Sequence, residues 1–187
     1  MLTKETFLKS VANHELDIIR DDGVYRHLRF KKPGDSNRFF ELVTWPGYLC
    51  YTGDMGCYVF RRLNDMFDFF RCEKEDLGIN PNYWSEKLEA KFDEIKELDE
   101  KKIISVINDY RKRWIRDFRY KLTKENRRNL WEQVTCLVLK VGDSDDMLRS
   151  ADNFCGYWQG RRFYFEGLFE HNFDRFKHSY LWCCYAI

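Results

Sequence analysis

Four side chains near the end of the chain have the chemistry of metal ligands: His171, Asp174, His178 and Cys183. On a helix, Asp174 would share a face with both histidines, because residues three and four positions apart lie one turn from each other. The two histidines have six residues between them, a spacing that helical metal-binding pairs do not use. We therefore predict a polar cap on the C-terminal helix, with no metal and no cofactor. A metal-dependent enzyme centred on His171, Asp174 and His178 is the alternative.

The cysteines are candidates for nucleophilic chemistry. Cys50 and Cys57 flank a tight turn, and His27 falls on a neighbouring predicted strand. A nucleophilic cysteine needs a thiolate stabilised by a histidine or a helix start, and nothing in the sequence fixes that geometry. The chain has seven cysteines without paired spacing, so we expect free thiols in a reducing cytoplasm. With no glycine-rich phosphate loop and no Gly-x-Ser-x-Gly motif, we predict no catalytic residues and no enzymatic activity.

Charge is balanced over the whole chain but not locally. The formal net charge is +1, from 32 basic and 31 acidic residues, which argues against both a nucleic-acid mimic and a uniformly basic nucleic-acid coat. Residues 111–128, however, hold nine bases and two acids. Residues 86–100 are acidic with three interspersed lysines, which indicates a solvated helix or linker. A local basic surface is therefore the strongest electrostatic feature.

Helical periodicity sorts the basic segment into two faces. One apolar stripe contains Ile103, Ile107, Tyr110, Trp114 and Phe118. The opposite face carries the four bases that we call the basic ridge: Lys112, Arg113, Arg116 and Arg119. A solvated helix face and a surface that binds an acidic protein or phosphates both explain this pattern. Trp114 and Phe118 are predicted to point inward, so they are unable to stack on nucleic-acid bases.

Two sharp turns carry large side chains at the rim of a predicted sheet. The turn rim, as we name it, consists of Trp45, Tyr51, Asp54 and Met55. Tryptophan and tyrosine dominate binding hot spots, and turns project residues from a rigid scaffold. The same aromatic residues could instead close the end of the core. We include the residues of both the turn rim and the basic ridge among the candidates for partner binding.

The sequence predicts an α+β fold in one domain spanning residues 1–187. A helix begins at Thr3 and extends to about Ile19, followed by a small antiparallel sheet of about four strands at residues 24–30, 38–44, 48–51 and 57–60. This part, residues 1–62, is followed by a mainly helical part, residues 63–187, packed on it. Helices are predicted at residues 65–71, 100–120 and 123–138. Three more helices are predicted to begin at Pro81, at Ser144 and near Phe173. Residues 159–165 are predicted to be either a strand or a loop. No apolar run is long enough to cross a membrane, and the start of the chain lacks a signal peptide, so we expect a cytoplasmic protein with no membrane partner.

Four blocks carry a resemblance to a known family: LVTWPGY at residues 42–48, GDMGCYVF at 53–60, INPNYWSEKLEA at 79–90 and WCCYA at 182–186. The chain resembles a family of small accessory proteins carried by tailed phages and prophages of enteric bacteria. That family has no assigned catalytic residues. The resemblance implies a protein of the host cytoplasm that binds and blocks a host protein, with a defence complex such as a CRISPR effector or a restriction system as target, in the manner of an anti-CRISPR.

Two further interpretations are open. A nucleic-acid-binding accessory or regulatory protein would use the same basic ridge. The aromatic-rich composition is also compatible with a homodimer, although nothing in the sequence defines an interface.

Overall fold

The computed structural model describes residues 2–35, 37–71 and 78–187. The chain forms two compact units: Met1–Lys96 together with Phe176–Ile187, and Glu97–Arg175. The sequence placed the change of structure after residue 62 instead. The single domain over residues 1–187 stays a prediction.

The first helix, α1 (Lys4–Val11), begins where the sequence predicts and ends earlier. Thr3 caps it, because the Thr3 hydroxyl accepts a hydrogen bond from the Thr6 amide at 3.3 Å. The expected continuation to Ile19 is wrong, since Glu15–Asp22 forms strand β1. Alternation of Leu16 and Ile18 satisfies the period of a strand, and antiparallel pairing with β2 (Tyr25–Lys31) gives this segment the backbone partners that a helix would otherwise supply.

The sheet of the first unit has six antiparallel strands in sequence order. The four predicted strands are its centre, and β1 and the last strand extend it on either side. The remaining bounds are β3 (Phe40–Trp45), β4 (Tyr48–Gly53), β5 (Gly56–Arg61) and β6 (Leu88–Lys91). The count of about four was too low because β1 and β6 lie in segments that were assigned to helices or a linker.

One face of this sheet packs against four helices: α1, α2 (Met66–Phe70), α3 (Pro81–Ser85) and α7 (His178–Ala186). Trp182 of α7 is central, with ring centroids 5.0 Å from Phe7 and 5.3 Å from Phe40. Each large aromatic ring removes roughly 150–250 Å² from water, so this cluster supplies much of the hydrophobic driving force of the unit. The last helix thus begins at His178 rather than near Phe173.

The acidic segment at residues 86–100 contains two short strands in place of the helix or continuous linker that was predicted. It contains β6 and β7 (Lys96–Leu98), and β7 pairs with β10 (Asp174–Phe176). The chain passes between the two units within these two strands. Long-range pairing has overridden a local composition that favours solvent-exposed helix.

The second unit is built on three helices: α4 (Glu100–Asp117), α5 (Lys124–Val134) and α6 (Ser144–Asn153). A π-helical turn at Thr135–Leu139 follows α5 directly, and a 3₁₀ turn occupies Leu168–Glu170. Residues 159–165, for which the sequence predicts either strand or loop, contain β9 (Arg161–Phe163), which forms a hairpin with β8 (Gly156–Trp158). Helices α4, α5 and α6, this hairpin and the loops after it enclose the second core.

Candidate binding surfaces

Helix α4 positions Lys112, Arg113 and Arg116 in the way that its periodicity predicts, but it ends at Asp117 rather than near residue 120, so Arg119 lies in the following turn. Asp99 caps the helix by accepting from the Lys102 amide at 3.2 Å. Ile103 and Ile107 are fully buried, and the rest of the apolar stripe packs against the same core. The four ridge residues, Lys112, Arg113, Arg116 and Arg119, are all exposed.

The ridge cations differ in what they contact. Lys112 lies 3.2 Å from an Asp109 carboxylate oxygen, and Arg116 lies 3.6 Å from Asp117. Arg113 instead lies over the Tyr110 ring at 5.7 Å and contacts no acid in the described part of the chain. Exposed ion pairs contribute little and are screened by salt, so even the paired cations remain open to an external anion.

The fourth ridge residue, Arg119, has an aromatic neighbour that the sequence did not assign to binding. Its guanidinium lies 4.4 Å from the centroid of Tyr120 and donates a hydrogen bond to the Tyr120 hydroxyl. The Tyr120 side chain is 86% exposed. A ring held beside a cation at the surface is suited to contact either a protein or a nucleic-acid base.

Hairpin β8–β9 adds two arginines that sequence reasoning missed. Arg161 lies over Phe118 at 4.6 Å, at the C-terminal end of α4. The Trp114 indole donates to the Arg162 carbonyl at 3.2 Å, which joins the hairpin to the same helix. The Gln159-Gly160 turn, in which both residues have positive φ, was the available signal for this hairpin.

The inward orientation of Trp114 and Phe118 is confirmed, because both are partly buried against the second core. Tyr120 and Tyr157 are different. Tyr157 lies opposite Arg162 in the hairpin and is 68% exposed. The surface of this unit therefore carries accessible aromatic rings next to arginines. The helical periodicity of the sequence did not predict these rings.

The turn rim belongs to the first unit and is only partly exposed. Tyr51 was proposed as a contact, and this is wrong: its side chain has no exposed area. Tyr51 points from β4 toward the covered face of the sheet, where its ring centroid lies 5.8 Å from Phe40 and 6.3 Å from Trp182. Met55 is half-buried and packs against the same core.

The other two rim residues are exposed. Trp45 stacks on Tyr48 with 5.1 Å between centroids, and Arg61 lies over the Tyr48 ring at 5.3 Å. Asp54 accepts a hydrogen bond from the Arg38 amide. Trp45 lies at the turn between β3 and β4, whereas Asp54 and Met55 lie in the turn at the other end of β4. The structure therefore does not bring the turn-rim residues together into one contact surface.

The pair of cysteines that flank the β4–β5 turn does not form a nucleophilic site with His27. Cys50 and Cys57 are free, with 3.9 Å between their sulfur atoms. Burial and the neighbouring Cys57 raise the pKa of Cys50 to about 12, so it is a thiol at neutral pH. His27 contacts Glu41, with 2.7 Å between Nε2 and Oε2. The hydrogen-bonded partner of this histidine is a carboxylate rather than a cysteine.

The candidate metal ligands lie in three parts of the chain, with His171 directly after the 3₁₀ turn at Leu168–Glu170. Asp174 lies in β10, His178 begins α7 and Cys183 is buried within α7. Within residues 2–35, 37–71 and 78–187, no group of three or more His, Cys, Asp or Glu side chains is placed to hold a metal ion. Asp143 accepts from the Asp146 amide at 3.0 Å and so caps α6, the helix that was predicted from Ser144.

Among the helices of the described segments, none combines the length and apolar character needed to cross a bilayer. Comparison of the chain with family models, with curated proteins and with solved structures found no match. The resemblance to phage accessory proteins thus remains an expectation.

Proposed function

We propose that this protein acts by binding a partner macromolecule, and that the basic ridge covers an acidic surface of a host protein. The proposal rests on the exposure of Lys112, Arg113 and Arg116 on one face of α4, whose opposite face is buried in a core, together with the exposed Arg119 in the turn after the helix. A rigid helix presents these charges without a large loss of conformational entropy on binding. Binding of this kind would inhibit the partner by occluding its surface.

The class of partner follows from the resemblance to phage and prophage accessory proteins. A host-defence component, such as a CRISPR effector complex or a restriction system, is the partner we propose, in the cytoplasm of an enteric bacterium. The test is capture from such a host with the tagged protein, followed by affinity measurement with the purified partner.

The decisive variant reverses three ridge charges: Arg113→Glu, Arg116→Glu and Arg119→Glu. We expect affinity to fall by at least about tenfold, and its dependence on salt to weaken, because these charges steer and hold an acidic surface. The matched control reverses three exposed lysines of the same unit: Lys101→Glu, Lys102→Glu and Lys140→Glu. Unchanged affinity of the folded ridge variant, or equal losses in both variants, would remove the ridge from the proposal.

A second function, nucleic-acid binding, is favoured by one specific observation. Tyr120 and Tyr157 are 86% and 68% exposed and lie beside arginines. Base stacking on such rings, with arginines on the backbone, is how single strands are bound without sequence preference.

This alternative is tested by titrating labelled single-stranded DNA, single-stranded RNA and duplex DNA. Log affinity should fall linearly with log salt concentration, and Tyr120→Ala with Tyr157→Ala should weaken single-strand binding by about tenfold or more. Tyr25→Ala, an exposed tyrosine of the other unit, is the control. No retention of any nucleic acid at low salt would dispose of this function.

A further inference from the structure

Strand β1 is an open edge of the six-stranded sheet. It is first in the strand order, and β2 is its only strand partner among the described residues. All eight of its residues, Glu15–Asp22, are exposed. An edge strand keeps one row of backbone N–H and C=O groups unpaired, and an extended segment of another chain can pair with such a row.

The face of β1 that continues the core is apolar and uncovered. Leu16 lies opposite Phe30 and Ile18 opposite Leu28, and both of these β2 side chains pack against the core. Leu16 and Ile18 are nevertheless 50% and 57% exposed. Two large aliphatic side chains therefore extend the inner face of the sheet beyond the helices that cover it.

The other face of the same four residues is acidic. Glu15 lies opposite Lys31 and Asp17 opposite Arg29. Neither carboxylate forms an ion pair within the described residues, whereas Asp21 and Asp22 are each within 3.5 Å of an arginine. Glu15–Ile18 thus presents acidic and apolar side chains in strict alternation.

A bulge confines the accessible edge to this half of the strand. The register with β2 is regular from Glu15 to Ile18 and shifts between Ile18 and Arg20. Bulges interrupt pairing and twist an edge away from further strands. A new strand would therefore pair with the regular half, where the unpaired acids lie.

The charge of β1 indicates whether a second copy of this chain or a strand of another protein would pair with this edge. β1 carries four acids and one arginine, so a second copy of β1 would place acid opposite acid. Its existing neighbour shows the complementary pattern: Leu28, Arg29, Phe30 and Lys31 alternate apolar and basic side chains.

We propose that the open edge of Glu15–Ile18 accepts an antiparallel strand of a partner protein in which apolar and basic residues alternate. The added strand would pair its bases with Glu15 and Asp17 and would cover Leu16 and Ile18 with its apolar side chains. This interface lies in the first unit and does not depend on the basic ridge.

The probe is a labelled synthetic peptide that copies residues 25–31, YRHLRFK. Its counterpart carries Arg26→Glu, Arg29→Glu and Lys31→Glu. We expect the basic peptide to bind at least about tenfold more tightly than the acidic one. Backbone pairing should slow amide hydrogen exchange in β1 while leaving the exchange of β2 amides unchanged.

Two protein variants separate strand addition from general attraction. Leu16→Ser with Ile18→Ser should weaken peptide binding about tenfold, whereas Leu8→Ser with Leu63→Ser, two exposed leucines elsewhere in the unit, should not. The variant Glu15→Lys with Asp17→Lys should bind the acidic peptide more tightly than the basic one. Amide hydrogen exchange of the free variant verifies that its sheet is intact.

Several results would overturn the proposal. The two peptides could bind equally, or neither could bind at millimolar concentration. Amide hydrogen exchange could be slowed outside β1 instead of in β1. It could also become faster in β2, which would show that the peptide replaces β2. A dimer in sedimentation that Leu16→Ser with Ile18→Ser dissociates would assign the edge to a second copy and would also overturn it.

Discussion

The guanidinium of Arg111 lies 3.8 Å from the centroid of the Trp131 ring, and its Nη1 donates to the Trp131 carbonyl at 2.9 Å. The same nitrogen donates to Thr135 Oγ1 at 2.8 Å, at the start of the π-helical turn. Arg111 is 2% exposed, and no carboxylate of the described residues pairs with it. Burial accordingly lowers its pKa to about 10. One buried cation thus joins α4 to the end of α5.

Arg111→Lys should lower the free energy of unfolding by about 2–4 kcal/mol. The lysine retains the buried charge but lacks the planar fork that reaches the Trp131 carbonyl, Thr135 and Asn108. Urea unfolding followed by circular dichroism measures the change. The control, Arg113→Lys on the exposed ridge, should stay within about 0.5 kcal/mol of wild type. A similarly small effect of Arg111→Lys would show that the fork is unimportant.

The Arg26–Asp65 pair should give the first unit an acid-sensitive component of stability. Arg26 donates to both Asp65 oxygens at 2.9 and 2.8 Å, and Asp65 also caps α2 by accepting from the Phe67 amide at 3.0 Å. These hydrogen bonds hold the pKa of Asp65 below its ordinary value of 3.8. The unfolded state therefore takes up the proton first, so the contribution is present above about pH 4 and is lost as pH falls further.

Asp65→Asn should lower the free energy of unfolding by about 1–2 kcal/mol at neutral pH, since it removes the charge while keeping an oxygen for the cap. The difference from wild type should shrink toward about pH 3. Urea titrations at the two pH values check this. A difference that is the same at both values would contradict the ion-pair explanation.

The buried thiols of α7 should make the protein less stable in alkali. Burial raises the pKa of Cys184 to about 12 and also raises that of Cys183, from an ordinary value of 9.0. Above pH 9 the unfolded chain loses these protons while the folded chain keeps them. The stabilisation is therefore complete below pH 9 and is lost as pH rises toward about 12.

The corresponding measurement is the slope of unfolding free energy against pH between about pH 8 and pH 10. Cys184→Ala should reduce this slope, although its stability at neutral pH is lower because of the cavity it leaves. An exposed thiol gives the control, Cys136→Ala, which should keep the wild-type slope. Identical slopes for all three proteins would be inconsistent with titration of Cys184.

Truncation to alanine should cost more stability at the buried Tyr51 than at the exposed Trp45. Tyr51→Phe should leave stability unchanged or raise it by about 1 kcal/mol, because the buried Tyr51 hydroxyl has no hydrogen-bond partner within the described part of the chain. Tyr51→Ala should cost about 3–5 kcal/mol through the cavity in the aromatic core.

Trp45→Ala removes an exposed ring whose main contact is Tyr48, so its cost should be about 1 kcal/mol. Thermal or urea unfolding of the three variants gives the comparison. Destabilisation by Tyr51→Phe would imply a partner for the hydroxyl.

Much of the candidate site followed from sequence because helices obey a local rule. The 3.6-residue period placed Ile103 and Ile107 inside and Arg113 and Arg116 outside, and α4 confirms both faces. Helix hydrogen bonds join residues four apart, so a window of a few turns contains most of the information. The helix starts at Thr3 and Ser144 were readable for the same reason.

Strands depend on partners that are distant in the chain, so the sequence alone did not predict all of the strands or which of their faces are buried. Ile18 fitted a helical stripe as well as a strand, and only the pairing of Leu16 with Phe30 and of Ile18 with Leu28 decided the outcome. Tyr51 was also ambiguous, because strand alternation gives two faces without telling which one a helix covers; Trp182, at the far end of the chain, buries it. The sequence alone determined the α+β class and the exposed basic ridge, while long-range packing decided the edges of the sheet and which aromatic residues are accessible.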